Sequence, residues 1–595
     1  MGCKGVLAVD PTLEKDYIHI RESQIKFNSV DTALNVCSIS NYNEAPLNRQ
    51  FIILLSTLGV KDEIFEKIQK DIIKKYLDLL INSNKIFINK CSIYSEFKNK
   101  LIYLGPIFDE FLKNNINLIN EPLFSQLINV FIYSILIKMK YSGKMKDNKC
   151  VNLIGVIDET NTLEEDEVYI HLVNNSDYQK IDTILEQKVI VYRSPSLHPG
   201  DIKLLKAINK PSLNLKHMMN VIVFSKKGKR PTFNKLSGGD LDGDKFTISY
   251  NEDIINNIID NNCQPLDDPK YIDNNNKFKN KKKSITIEDS IDCMIKAIEK
   301  SKTGIICNNH IALADMSPLK AKDPRCIQLS KYFNQEIDAN KTGKFIDIFT
   351  LKEQDLIMSR KPDFLNKGKM KKNRCYESPG ILGKLYRQIN KNNELFDNFK
   401  LNFFKKAIKR DYEININFIT KNCFSYLPEA YIIYNDYKIR LCNLMKKYNF
   451  CTEGELFLNY RIFKEYRRYR GNNSYTNELE ELLKYIKDQI YRVFKDINKD
   501  IASAIYIVSY INIREIYEKT VNFSDDDYEE NVAKLLSLFE KEKNDFQILF
   551  KDYSIYANLK KNNRTETKNK YKRIFSLPWI IKEVSEQLLG TKKKE

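Results

Sequence analysis

Between Val151 and Tyr250 the chain sets five short apolar runs among turn-rich connections. The runs are "VNLIGVID", "DEVYIHL", "KVIVYRS", "NVIVFS" and "KFTISY". They are rich in Val, Ile, Tyr and Phe, and "SLHPGD" and "KKGKRP" punctuate them with Pro and Gly. Such runs read as β-strands. The fold must therefore build a sheet-based core from residues 151–250.

Around this block the pattern changes. Residues 1–60 open with two strand-like stretches, "GVLAVD" and the alternating "YIHIRES", and turn helical at "LNRQFIILLSTLGV". Residues 61–150 read as helices rich in Ile, Leu, Phe and Lys. Their longest apolar run, Leu127 to Ile137, is too short to span a bilayer and reads as a buried helix. Residues 251–284 form a polar Asn/Lys-rich loop, 285–395 mix helix and loop, and 396–595 read as amphipathic helices. A chain of 595 residues is expected to form two to four domains. It starts directly on a strand, which suggests a fragment, a truncated gene model or one part of a split system.

The chain carries 96 basic and 78 acidic residues, for a net charge of +18. That excess favours a polyanionic partner. The twelve cysteines form no C-x-x-C pair, and the five histidines show no ligand spacing, which argues against a local zinc site. Scattered thiols and the lack of a signal peptide or membrane span fit an intracellular, soluble protein, cytoplasmic or nuclear.

Against this basic background, "SGGDLDGDKFTIS" concentrates Asp240, Asp242 and Asp244 within five residues. On a strand these positions would share one side. Three carboxylates there repel unless a cation lies between them. Oxygen donors select Mg²⁺, Mn²⁺ or Ca²⁺. Gly243 permits a tight turn through which the carboxylates converge. An EF-hand loop is excluded by count: from Asp240, position six is Lys245 instead of Gly, and position twelve is Asn251 instead of Glu. An aspartyl-phosphate motif fails because glycines precede Asp240 and Asp244 occupies its fifth position. A plain surface turn stays open, but Lys226, Lys227, Lys229 and Arg230 lie just upstream. Carboxylates beside a basic strip suit metal-assisted phosphoryl chemistry.

The stretch "VIVFSKKGKRPTFNKLSGGDLDGDKFTISY" resembles the eukaryotic RNA-dependent RNA polymerases of RNA silencing, whose signature is D-x-D-G-D after K-G-x-R-P and a C/S-G-G. Similar segments follow in order: "GCKGVLAVDP", "IHIRESQIKF", "LNRQFIILLSTLGVKDEIF", "GVIDETNTLEEDEVYI", "SPSLHPGDI", "TGIICNNHIALAD", "LGKLYRQI", "EGELF", "ASAIYIVSY" and "LPWII". Glu22, Glu165, Asp166 and Ile505 depart from the usual residues.

The resemblance implies an α+β fold with two double-psi β-barrels and large helical neck and head regions. The second barrel, 151–250, would be complete; the first, 1–60, is expected to be whole or partial. It further implies template-directed synthesis of complementary RNA from nucleoside triphosphates by a two-metal mechanism, feeding small-RNA silencing. Asp240, Asp242 and Asp244 would be catalytic ligands of Mg²⁺, with Mn²⁺ as a substitute. Lys4, Arg21, Lys26, Arg49, Lys227, Lys229 and Arg230 are candidate contacts for substrate and RNA. Silencing-complex proteins are candidate partners, and no membrane is. The alternative is a catalytically incomplete RNA-binding or scaffolding remnant, completed by a partner chain or a missing N-terminal segment.

Other residues admit two readings. His198 in "LHPGD" is a turn histidine or an RNA contact. Asn309, His310 and Asp315 read as packing residues on a helix, with Asn309 or His310 able to face a cleft. "KNKKKS", residues 279–284, suits a solvated loop, an RNA contact or a nuclear address. "NYRIFKEYRRYRG", residues 459–471, is an ordinary amphipathic helix or a template path.

Overall fold

The β block closes on itself through a long-range pairing of its first strand with its last. A computed structural model describes residues 2–81, 121–210, 215–259, 302–339, 345–366, 374–391, 416–459 and 498–510, short internal gaps aside, with a few isolated positions. "KNKKKS", all of "NYRIFKEYRRYRG" beyond Asn459, and "LPWII" lie outside the described residues.

The early elements are β1 (Gly2–Cys3), β2 (Ile25–Phe27), β3 (Glu44–Leu47), α1 (Arg49–Thr57), α2 (Asp62–Ile81) and α3 (Pro122–Ser142). Then come β4 (Met145–Ile157), β5 (Glu167–Ser176), β6 (Gln179–Ile184), β7 (Lys188–Arg193), β8 (Lys203–Ala207), β9 (Val221–Phe224) and β10 (Lys245–Ser249). Helices α4 (Thr303–Met316), α5 (Pro324–Ile337), α6 (Leu427–Lys447) and α7 (Lys499–Tyr510) follow.

Six strands form a closed barrel in the order β10-β7-β8-β5-β9-β4, with β4 pairing back to β10. The β4–β9 and β5–β8 pairs are parallel and the other four are antiparallel. Closure removes both free edges of the sheet. Strand β6 pairs with β5, and β3 adds to β4.

Alternation explains the interior. Val151 and Leu153, Val168 and Ile170, Val189 and Val191, Ile222 and Phe224, and Phe246 and Ile248 form one buried cluster. The intervening Tyr169, Val221 and Val223 join a second, with Leu163, Leu215 and Met218. β9 is thus covered on both faces, which is why it reads "VIVF" without a polar residue.

Helix α1 docks on this barrel. Its N-cap Asn48 accepts from the Phe51 amide at 2.9 Å and donates to the Tyr192 hydroxyl at 2.9 Å. The Phe51 and Tyr192 rings stack at 4.0 Å.

The chain divides into two compact units: Met1–Lys74 with Ile137–Asn390, and Lys75–Leu136 with Lys391–Glu595. The first holds the barrel, α1, α4 and α5. In the second, α6 packs on α7, where Tyr506 meets Phe418 edge-on at 5.3 Å and Tyr510 at 4.5 Å. Among the described residues, no helix is long and apolar enough to cross a membrane.

Several local expectations change. "GVLAVD" and "YIHIRES" are not strands. Pairing near the N-terminus is confined to Gly2–Cys3 against Ile25–Phe27. Tyr17, Ile18 and Ile20 are exposed, and Glu22–Gln24 make a single tight turn. Alternation alone gave these runs no partner strand. Strand β4 starts at Met145, six residues early, because β3 pairs its polar first half.

Candidate metal centre

The aspartates sit in the loop that feeds β10, not on a strand. Residues 231–238 coil into a short turn that ends with Ser237 and Gly238 at φ of +53° and +64°. Gly243 has φ +125° and open space where a Cβ would stand, so backbone conformation demands the glycine there. Two tethers hold the loop on the barrel. The Gly155 amide of β4 donates to the Asp244 carbonyl at 3.1 Å, and Leu241 packs against the interior cluster.

This turn makes the carboxylates converge. One oxygen of each lies within 4.8 Å of the others. The Asp240 amide donates to Asp244 Oδ2 at 2.9 Å, and the Asp242 amide to Asp240 Oδ1 at 3.3 Å. The donor set is all oxygen, with no thiolate or imidazole, and fits a hard divalent cation. Burial, with Asp242 and Asp244 nearby, raises the Asp240 pKa. Burial also pushes Asp242 up, but the Lys4 ammonium outweighs it and holds that carboxyl below its ordinary value.

Lys4 comes from the far end of the sequence. Its Nζ lies 2.5 Å from Asp242 Oδ2, and this contact raises the lysine's own pKa. Its backbone amide is fixed by the Gln24 carbonyl at 2.9 Å. Of the seven cations singled out in the sequence, Lys4 is the one paired with an aspartate of the cluster. Lys26 bonds the Ser23 carbonyl at 2.9 Å and acts on Asp242 only through its charge. Arg21 pairs with Glu159. Arg49, at the start of α1, lies over the Phe364 ring at 6.0 Å, and burial pushes it down to about 10.

Two of the four cations of the upstream basic strip, Lys227 and Arg230, are engaged elsewhere, as is nearby Lys235. Lys227 pairs with Glu164 at 2.6 Å, and Lys235 with Glu165 at 2.9 Å. Arg230 staples its own loop, donating to Asn234 Oδ1 at 2.7 Å, the Leu266 carbonyl at 2.9 Å and the Asn234 carbonyl at 3.2 Å. Lys229 is exposed. Arg230→Ala should therefore cost about 1–3 kcal/mol by orphaning half-buried acceptors. Lys227→Ala should change stability by less than about 1 kcal/mol. Chemical denaturation of the two variants measures the difference.

His198 Nδ1 accepts from the Gly200 amide at 3.1 Å, and burial pushes its pKa down to about 4. His310 is buried in α4 and is likewise pushed to about 4. Asn309 bonds the Ile305 carbonyl and the Met358 amide, and Asp315 accepts from Ser378 and Tyr376. All four serve packing or local turns.

Arg193 escaped the sequence reading. It ends β7, where antiparallel pairing sets it opposite Phe246 of β10. Its guanidinium meets Asp244 through Nε at 2.7 Å and Nη2 at 3.0 Å. Only the β7–β10 register reveals this, since 51 positions separate the two residues.

Comparison with known proteins adds family context. The family model described as RNA dependent RNA polymerase matches residues 1–389. RNA-dependent RNA polymerase 1 of Arabidopsis thaliana is 31% identical over 520 residues, covering 86% of this chain and 44% of that protein. Probable RNA-dependent RNA polymerase 1 of Oryza sativa subsp. japonica is 32% identical over 463 residues, covering 76% and 57%. The chain thus spans about half the length of these curated relatives. Among solved structures, RNA dependent RNA polymerase QDE-1 from Thielavia terrestris aligns over 90% of this chain and 62% of its own. Its TM-score is 0.53 at 18% identity. That likeness concerns the fold: an α+β chain built on a double-psi β-barrel.

Proposed function

The chain belongs to the RNA-dependent RNA polymerase family, and on that premise we propose that it joins ribonucleotides on an RNA template. One observation carries the reading: three carboxylates from one loop converge within 4.8 Å, with Lys4 set against the middle one.

In the reaction the 3′-oxygen of the growing strand bonds the α-phosphorus of a nucleoside triphosphate. The bond from that phosphorus to the bridging oxygen breaks, pyrophosphate leaves, and the hydroxyl proton is released. Asp240, Asp242 and Asp244 would hold Mg²⁺, or Mn²⁺ in its place. A bound divalent cation supplies a lowered hydroxyl pKa and offsets charge on the leaving pyrophosphate. Lys4, kept protonated by Asp242, donates to phosphate oxygens as they approach. Lys229 is free to steer an incoming strand by charge, and Lys26 does so at longer range.

In this proposal residues 151–250 form the second catalytic barrel and 1–60 part of the first. The 61–150 helices link them, and 251–284, 285–395 and 396–595 form a loop, a catalytic continuation and a helical head. The product would be double-stranded RNA for small-RNA silencing. Silencing-complex proteins would be partners, in cytoplasm or nucleus.

The test is incorporation of labelled nucleotides by the purified 595-residue chain on an RNA template. Template-dependent product that appears with Mg²⁺ and vanishes with EDTA is expected. A chain that binds RNA but incorporates nothing with either Mg²⁺ or Mn²⁺ would overturn the proposal in favour of the scaffold reading.

A further inference from the structure

We infer that Arg193 is a positioning residue that fixes Asp244 and limits it to one free donor direction; this rests on the reading of the aspartates as a divalent-cation site. The argument begins with the fork. A guanidinium meeting both oxygens of a carboxylate fixes its rotation as well as its place. Here Nε meets Oδ2 and Nη2 meets Oδ1, and the two side chains are only 23% and 18% exposed. The remaining Nη1 donates to the Ser237 carbonyl at 3.1 Å, so the same arginine ties Asp244 to the turn before the cluster. Gly239 lies against it as well: a Cβ built there would sit 3.0 Å from Arg193 Cδ.

Lone pairs then decide what Asp244 can still do. Oδ2 accepts from the Asp240 amide and lies 2.7 Å from the Arg193 Nε in an ion pair, so both groups crowd its approach. Oδ1 accepts once, from Nη2, and keeps one lone pair. Asp244 can thus offer a cation a single direction, set by Arg193. Lys4 differs in kind. It is 66% exposed and holds Asp242 through one oxygen, so an incoming cation can displace it.

Charge makes the role testable. Arg193 repels a cation while aiming its ligand, so removing it should split binding from turnover. In Arg193→Gln, Mn²⁺ affinity of the full chain should rise at least about threefold, because a site that has lost the positive charge beside Asp244 attracts a divalent ion more strongly. Over the same change kcat should fall by roughly 10–100-fold, as when an orienting partner of a metal ligand is lost. Arg193→Lys keeps the charge and loses the fork. Its Mn²⁺ affinity should stay near wild type while its kcat falls nearly as far.

Mn²⁺ binding followed by electron paramagnetic resonance, with kcat and KM for nucleotide, reads both arms. Full kcat in Arg193→Lys would overturn the positioning role, since charge alone would then suffice. Loss of both Mn²⁺ binding and turnover in the two variants would overturn it too, because a merely structural residue behaves that way. Mn²⁺ binding that Asp242→Asn leaves untouched would instead overturn the metal reading itself, whatever Arg193 does.

Discussion

Asp242→Asn is expected to lower nucleotide incorporation by at least about a thousandfold while leaving the barrel folded. The size follows from the metal's share of the barrier. Charge stabilisation of several kcal/mol at the transferring phosphoryl group is lost when a central ligand is neutralised, and about 4 kcal/mol is a thousandfold. The substitution keeps shape and removes one charge. Asp242 is 34% exposed and contributes nothing to the interior clusters, so no cavity forms. It does remove the partner of Lys4. Lys4→Met separates that contribution: it should cost only about 10–100-fold, the scale of one charge-assisted donor to phosphate. Single-turnover incorporation, with a thermal melt of each variant, measures both. An Asp242→Asn chain within tenfold of wild type would remove the triad from the chemistry.

Why the cluster was readable and its surroundings were not comes down to distance along the chain. The metal-ligand types, the glycine and the following strand β10 all lie within Ser237–Ser249, so their chemistry is local. Covered strands were equally legible: β9 is wholly apolar, and β10 buries Phe and Ile between Thr and Ser with its one charge at its start. β6, "QKIDTI", and β8, "KLLKA", are diluted by Lys and Asp and become strands through pairing with β5 and β7. Closure of the barrel depends on β4 meeting β10, a pairing no local pattern announces. The basic strip shows the same limit in charge. Lys227 looks free in sequence, yet Glu164 takes it up, as the neighbouring Glu165 does Lys235. Of the two, Glu165 is a departure from the family pattern, and it takes up Lys235 rather than a member of the strip. Arg193 is the converse: nothing around "VYRS" marks it, and only the β7–β10 register brings it to Asp244.

Gly155→Val should be the most damaging change in the barrel wall, and its damage should reach the aspartates. A Cβ at Gly155 would meet Phe246 Cε2 at 2.4 Å, Phe246 Cδ2 at 2.8 Å and Leu241 Cδ2 at 2.9 Å. Real side chains do not approach so closely, so one neighbour must move. Phe246 is fully buried and packs on Phe224 at 4.8 Å between centroids, which leaves it little room. Leu241 is only half-buried and is the softer of the two. It is also the residue between Asp240 and Asp242, and its side chain anchors their loop. Overpacking of this kind costs about 1–3 kcal/mol. The same push would strain the Gly155 amide bond to the Asp244 carbonyl, so incorporation should fall at least about tenfold at temperatures where the chain stays folded. Leu241→Ala alone should also destabilise, by losing its contact with the core. In the double variant the two costs should not add: the smaller side chain makes room for the new one, with a coupling of about 0.5–3 kcal/mol. Denaturation of the four chains gives that coupling. Strict additivity would mean that Gly155 and Leu241 do not share space, and that Leu241 does not anchor the aspartate loop to the barrel.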